Sequence, residues 1–218
     1  MFRPSYLLVA VPLVFAAACG DKFNGVAVIA NGATVRFVNA TDTPINITNA
    51  GVVADTDIVF GAQSACLNVA VASTGGLVFT NFNNGTTIVF APSFTVGGRF
   101  TVVAFSDAAG AIQFTTVNSD FTPTSGDAGL RLFNAVSSIP SATVLLNGTA
   151  VDGAAAFGTA NNFASIPAGT ADVTFENGTT QVLDAGQMTF TAGQSQMIVL
   201  GPAAAGTTPL RQFLVNGC

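Results

Sequence analysis

From residue 33 onward, apolar and polar positions alternate with a period of two in short runs. TVRFVNA, TTIVFA, RFTVVAF, ATVLLNG and SQMIVL each stand between clusters of Gly, Asn and Asp. Successive side chains of a strand point to opposite faces, so this alternation predicts half-buried β-strands, and the β-branched residues that fill the runs favour the pleated conformation. Asn84-Gly85, Asn147-Gly148 and Asn177-Gly178 predict hairpins closed by type I′ turns, which need positive φ at both central positions. No stretch offers an amphipathic helix with caps. The AAAF near residue 155 is short and lies between glycines.

The strand pattern is written twice. Val35-Arg36-Phe37-Val38-Asn39-Ala40 recurs as Leu130-Arg131-Leu132-Phe133-Asn134-Ala135, Phe60-Gly61 as Phe157-Gly158, and Phe82-Asn83-Asn84-Gly85-Thr86-Thr87 as Phe175-Glu176-Asn177-Gly178-Thr179-Thr180. Phe94-Thr95-Val96-Gly97 recurs as Phe190-Thr191-Ala192-Gly193, and Gln113-Phe114 with Val117-Asn118 as Gln212-Phe213 with Val215-Asn216. The offsets lie between 93 and 99 and the order is kept. The repetition predicts two tandem copies, residues 33–119 and 128–218, joined by a polar linker over 120–127. Each holds six or seven short strands at spacings suited to a sandwich. The expected fold is all-β: two tandem immunoglobulin-like antiparallel β-sandwich domains after a cleaved signal peptide. The likeness to immunoglobulins is architectural only, because the copies lack a Cys…Trp…Cys signature.

The N-terminus reads differently. One positive charge, Arg3, precedes an apolar run from Leu7 to Ala18. That is the layout of a secretory signal over residues 1–18, and its apolar run is too short for a membrane-spanning helix of about 20 residues. Ala16-Ala17-Ala18 before Cys19 resembles the lipobox of bacterial lipoproteins, although that family prefers Leu where this chain has Ala16. The resemblance implies lipidation of Cys19, a tether over residues 19–32 and a membrane as partner through the anchor. In the sorting logic of that family, Gly20 after the cysteine, rather than Asp, favours the outer membrane over the inner one. The same Ala-x-Ala also suits ordinary signal peptidase, so a secreted, unlipidated product is the alternative.

Cysteine parity bears on that choice. The chain has three cysteines, Cys19, Cys66 and Cys218. With lipid on Cys19, Cys66 and Cys218 are left to form one disulfide in an oxidising compartment. By the repeat register Cys66 corresponds to Phe163, expected on an inner strand, while Cys218 ends the last strand, so the bond would clamp one copy to the other. The competing reading makes Cys66 a buried hydrophobe and Cys218 a frayed terminus.

Composition then excludes whole classes. Charged residues are 8% of the chain, against about a quarter in ordinary soluble domains. Six Lys+Arg and eleven Asp+Glu give −5 with no basic run, so the electrostatic footprint of nucleic-acid binding is missing. There is no histidine, which removes the commonest general base and metal ligand. No enzyme activity, catalytic residue, metal or cofactor is expected. The 19 phenylalanines and the many Val, Ile and Leu argue against disorder.

The starts of the copies (VRFVNATDTPINI and LRLFNAVSSIPSATVLLNG), IPAGTADVTF and AGQSQMIVLGP resemble the family catalogued as domain of unknown function 4397. Asn39 and Asn134 stand where that family usually has His, and the first copy lacks the Pro-Ala-Gly turn. The family occurs in bacterial envelope and exported proteins, often in tandem, with no assigned activity. The resemblance therefore implies fold and setting rather than chemistry.

Few single residues point further. Arg36 and Arg131, equivalent in the two copies, suit an anionic glycan, but pairing with a carboxylate or carbonyl of their own domain is the favoured reading. Asn39 and Asn134 are expected to hydrogen-bond the following turn. Asp55 and Asp57, with Asp42, form the only carboxylate cluster, in no calcium-loop spacing, and the second copy has only Asp152 nearby. The Asn-Gly-Thr triplets at 84, 147 and 177 are turns rather than glycosylation sites, and VGGRF resembles no phosphate loop. With Tyr6 in the signal, no Tyr or Trp remains as a sugar-stacking platform. The expected function is a non-catalytic, structural or adhesive lipoprotein of the cell envelope, with envelope proteins or glycans as partners. The alternative is a binding module for cell-wall or extracellular glycan.

Overall fold

The computed structural model describes residues 32–49, 52–71, 77–81, 85–203 and 210–218. The signal, Cys19 and the tether lie outside the described residues. All the regular elements described are strands. In the N-terminal half these are β1 (Gly32–Asn39), β2 (Ile45–Asn49), β3 (Val52–Ile58), β4 (Leu67–Ala70), β5 (Leu77–Asn81), β6 (Thr87–Phe90), β7 (Arg99–Ser106) and β8 (Ile112–Asn118). The C-terminal half has β9 (Asp127–Asn134), β10 (Ser141–Leu146), β11 (Thr149–Ala150), β12 (Ala155–Ala156), β13 (Ala164–Pro167), β14 (Gly169–Asn177), β15 (Thr180–Phe190), β16 (Ser195–Gly201) and β17 (Arg211–Asn216).

Each half contributes two sheets. In the N-terminal half the orders are β4-β1-β7-β8 and β3-β2-β5-β6. In the C-terminal half they are β13-β9-β16-β17 and β11-β10-β14-β15, with β12 beside β10. One core joins Val35, Phe37 and Val102 of the first sheet to Ile45, Ile47 and Phe79 of the second. Another joins Leu130, Leu132 and Ile198 to Val144, Val173 and Phe175. A third cluster lies between the two halves, where Val38, Val103 and Phe105 meet Phe133, Met197 and Val199. The sheets β4-β1-β7-β8 and β13-β9-β16-β17 are therefore inner layers, apolar on both faces, and the other two are outer layers.

This layering explains a departure from strict alternation. Every residue from Phe100 to Phe105 in β7 and from Ala128 to Asn134 in β9 is buried. A strand covered on both faces has no solvent side to make polar, so it reads as a continuous apolar run. In outer β14 only Val173 and Phe175 are buried.

The pairing is antiparallel except in two places. β1 runs parallel to β7, with Phe37 opposite Val102, and β9 runs parallel to β16, with Leu132 opposite Ile198. After β1 the chain passes through both sheets before returning at β7, and such a crossover lets neighbours run in the same direction. The turns also divide. Asn147 and Gly148 both have positive φ, 49° and 79°, as a type I′ turn requires. Asn177 instead stays in β14 opposite Thr180, and Gly178, the first loop residue, has φ 65°. That is the type II′ pattern, which needs Gly only at the first central position. Asn84 lies outside the described residues.

The junction between the inner sheets as candidate functional site

Two pairs of sequence candidates, Cys66 with Cys218 and Arg36 with Arg131, converge on the junction between the inner sheets. At one edge Cys66 and Cys218 are joined by a disulfide, with Cα atoms 5.8 Å apart and 152 residues between them. Cys66 is not on an inner strand, as its register suggested; it is exposed in the connection just before β4. Its counterpart Phe163 likewise sits just before β13. The repeat register is kept, but alternation alone does not mark where an edge strand begins.

Arg36 stands on β1 beside this bond. Its Nη1 donates to Gln63 Oε1 at 3.0 Å and to the carbonyl of Asn216, and its Nη2 lies 3.0 Å from Cys66 Sγ. Arg131 occupies the matching place on β9 and donates through Nη2 to the carbonyl of Asn118. Its guanidinium also lies 4.0 Å from the centre of the Phe163 ring, which stacks on Phe121 of the linker at 4.7 Å. Each arginine thus reaches a carbonyl at the end of the other half's last strand. Arg36 keeps the expected partner in its own half, the side-chain carbonyl of Gln63, whereas the carbonyl that Arg131 reaches lies in the opposite half, which corrects the expectation for Arg131. Sequence spacing does not say which chain end a side chain meets across a sheet-to-sheet contact.

Burial separates the two arginines. Arg131 is 6% exposed, and desolvation lowers its pKa to about 10. Arg36 is pushed down too, also by burial. Arg131 stays cationic at neutral pH, yet neither side chain has a carboxylate within ion-pair distance among the described residues. Carbonyl oxygens and, for Arg131, an aromatic face offset the lost hydration instead.

Further contacts were not foreseen. Arg211 forms an ion pair with Asp42 across the halves, donates through Nε to the Pro202 carbonyl, and lies 3.4 Å from the centre of the Phe60 ring. Phe60 meets Phe213 edge-on at 5.3 Å, and Phe105 meets Phe157 edge-on at 5.5 Å. Thr115 donates to the Gly158 carbonyl at 3.0 Å. A Cβ on Gly201 would stand 2.7 Å from the Phe60 ring, so that approach requires glycine. The recurrence of Phe60-Gly61 as Phe157-Gly158 was the visible signal for these contacts, but its partners were not. Arg99 pairs with Asp120 of the linker at 4.0 Å. All four arginines of the described residues therefore sit at the junction or its linker.

Other candidates have local roles. Asn39, 1% exposed, donates to the carbonyls of Thr43 and Ile58, and its Oδ1 accepts from the N–H of Thr41. Asn134, fully buried, donates to the Ile139 carbonyl and accepts from the N–H of Val136. Both tie the turn after the first strand. Asp42 is engaged with Arg211, Asp55 accepts from the N–H of Thr56, and Asp152 accepts from the N–H of Asn162. Among the described residues no N–H donates to the Asp57 side chain; its own N–H donates to Asn46 Oδ1. Among the described residues no three of these acidic groups form a cluster able to hold a metal ion.

Beside the disulfide a polar groove of about 430 Å³ opens between the halves, with Arg36, Arg99, Ser119, Gln194, Ser195 and Asn216 in its walls. Its donors and acceptors can hydrogen-bond a polar ligand.

No curated protein matches the chain. Residues 128–214 match the sequence model of the family described as Domain of unknown function (DUF4397). The match runs from β9 into β17, over the C-terminal pair of sheets.

Proposed function

We propose that this chain is a non-catalytic structural or adhesive lipoprotein of the bacterial envelope, built from two copies of one domain over residues 33–119 and 128–218. The observation that carries this reading is the Cys66–Cys218 bond. An exposed disulfide between two halves persists in an oxidising compartment, and its formation leaves Cys19 as the one remaining cysteine. The lipobox-like Ala16-Ala17-Ala18 then supports a lipid on Cys19. Two acyl signals would give stable anchoring, where a single chain gives marginal binding. A junction closed by a covalent bond, four arginines and an apolar seam supports a stiff two-part body rather than two beads on a string.

The test is intact mass and non-reducing peptide mapping of protein extracted from bacterial membranes. The expected mature form begins at an acylated Cys19 and carries the Cys66–Cys218 peptide pair. Unmodified Cys19 in the soluble fraction would replace the anchored form by the secreted one.

The groove favours one second reading, a module for a polar glycan. Its wall combines two arginines with Ser, Gln and Asn side chains. A glycan-array signal lost on Arg99→Ala would support this reading; a blank array would leave the structural role.

A further inference from the structure

The two edges of the junction correspond at their arginine, edge-strand and strand-end positions. Arg36 and Arg131 stand 95 residues apart, and the carbonyls they reach, Asn216 and Asn118, stand 98 apart. Cys66 and Phe163 precede equivalent edge strands, and each meets a residue just beyond the other half's last strand, Cys218 and Phe121 respectively. Between the edges, Val38, Val103 and Val117 face Phe133, Val199 and Val215 in one cluster. At these positions the surface that the N-terminal half offers is the surface that the C-terminal half offers back, while the Arg211–Asp42 pair is an addition on one side only. A contact in which i meets j while j meets i is isologous, the geometry of a two-fold dimer.

We propose that this face is a self-pairing surface: the C-terminal half, presented alone, binds a second copy of itself, and Arg131 of each copy donates to the Asn216 carbonyl of the other. The partner it selects carries an arginine on the first strand, an apolar inner-sheet face and a free carbonyl ending the last strand. In the intact chain the linker supplies that partner at high effective concentration, which makes the dimer internal. The claim rests on the equivalence of the two halves, and neither lipid anchoring nor a glycan enters it.

The C-terminal half is a unit that can be tested alone. Its core of fifteen buried residues takes none from the N-terminal half, and the family match covers 128–214 by itself. Within one copy, Phe163 and Cys218 flank opposite edges of a four-stranded sheet, about 14 Å apart at roughly 4.8 Å per strand. No disulfide spans that distance. Between two self-paired copies the same positions meet as Cys66 and Cys218 do.

A fragment of residues 122–218 carrying Phe163→Cys should therefore oxidise to a dimer with two reciprocal bonds, seen on a non-reducing gel and by peptide mapping. The same fragment with Cys218→Ser in place of Phe163→Cys should sediment as a non-covalent dimer, and adding Met197→Lys should give a folded monomer. A monomeric fragment with its face intact, or an open-ended ladder of oligomers, would overturn the proposal. In the full chain, Asp120→Cys with Phe163→Cys should close a second bridge at the other edge. Free thiols there would remove the two-fold correspondence and the proposal with it.

Discussion

At one edge of the junction a half-buried Arg36 stands beside a disulfide; at the other, a buried Arg131 lies against the ring of Phe163, itself stacked on Phe121. Both edges hold a strand-end carbonyl of the opposite half. What differs is the tolerance for water. A covalent bond does not weaken when wetted, so Cys66 can be exposed. A cation over an aromatic face is worth more once desolvated, so the edge without a covalent bond gains from burying its arginine.

The sharpest way to break this comparison is to remove the covalent edge. Cys66→Ser with Cys218→Ser should cost up to about 5 kcal/mol in urea unfolding, the chain-entropy value for so long a loop. A loss under about 1 kcal/mol would mean that the reduced, unfolded chain stays compact, so that the bond removes little of its freedom. Next, Arg131→Ala should cost about 3 kcal/mol, because it deletes a buried side chain together with its hydrogen bond to a part-buried carbonyl and removes the cation from the Phe163 ring. Phe163→Ala should follow at about 2 kcal/mol, below the usual loss for a fully buried ring because Phe163 is half-buried. Arg36→Ala should cost about 1 kcal/mol, since water can replace its hydrogen bonds. Equal losses for the two arginines, measured side by side, would defeat the burial argument.

The layered core accounts for the lack of charge in its inner strands. The middle strands of both inner sheets are covered on their two faces, so β7 and β9 have almost no solvent side on which to carry ions. The arginines that remain are concentrated where the halves meet.

Particular elements mark how far the sequence could be read. The strands TVRFVNA, RFTVVAF and SQMIVL are recognisable because period-two patterning and β-branching are local properties. The cysteine pair was reachable through parity and the repeat register. The type II′ turn at Gly178 was not separable from type I′, since Asn-Gly suits both and neighbouring strand register chooses between them. Nor was the parallel course of β1 and β7 legible, because strand direction depends on how the intervening chain crosses between layers. Arg211 gave no signal at all: its partners Asp42 and Phe60 lie far away in sequence.

By itself, the sequence determined the class of structure, the repetition of its parts and the residues available for each task, because alternation, turn chemistry and recurrence are written along one dimension. Only the tertiary structure decided which faces of the inner sheets are covered, that Arg36 and Arg131 each cross to the opposite half, and that a disulfide and an aromatic stack occupy corresponding edges. Those choices depend on bringing residues some hundred positions apart into contact, which packing settles and local pattern does not.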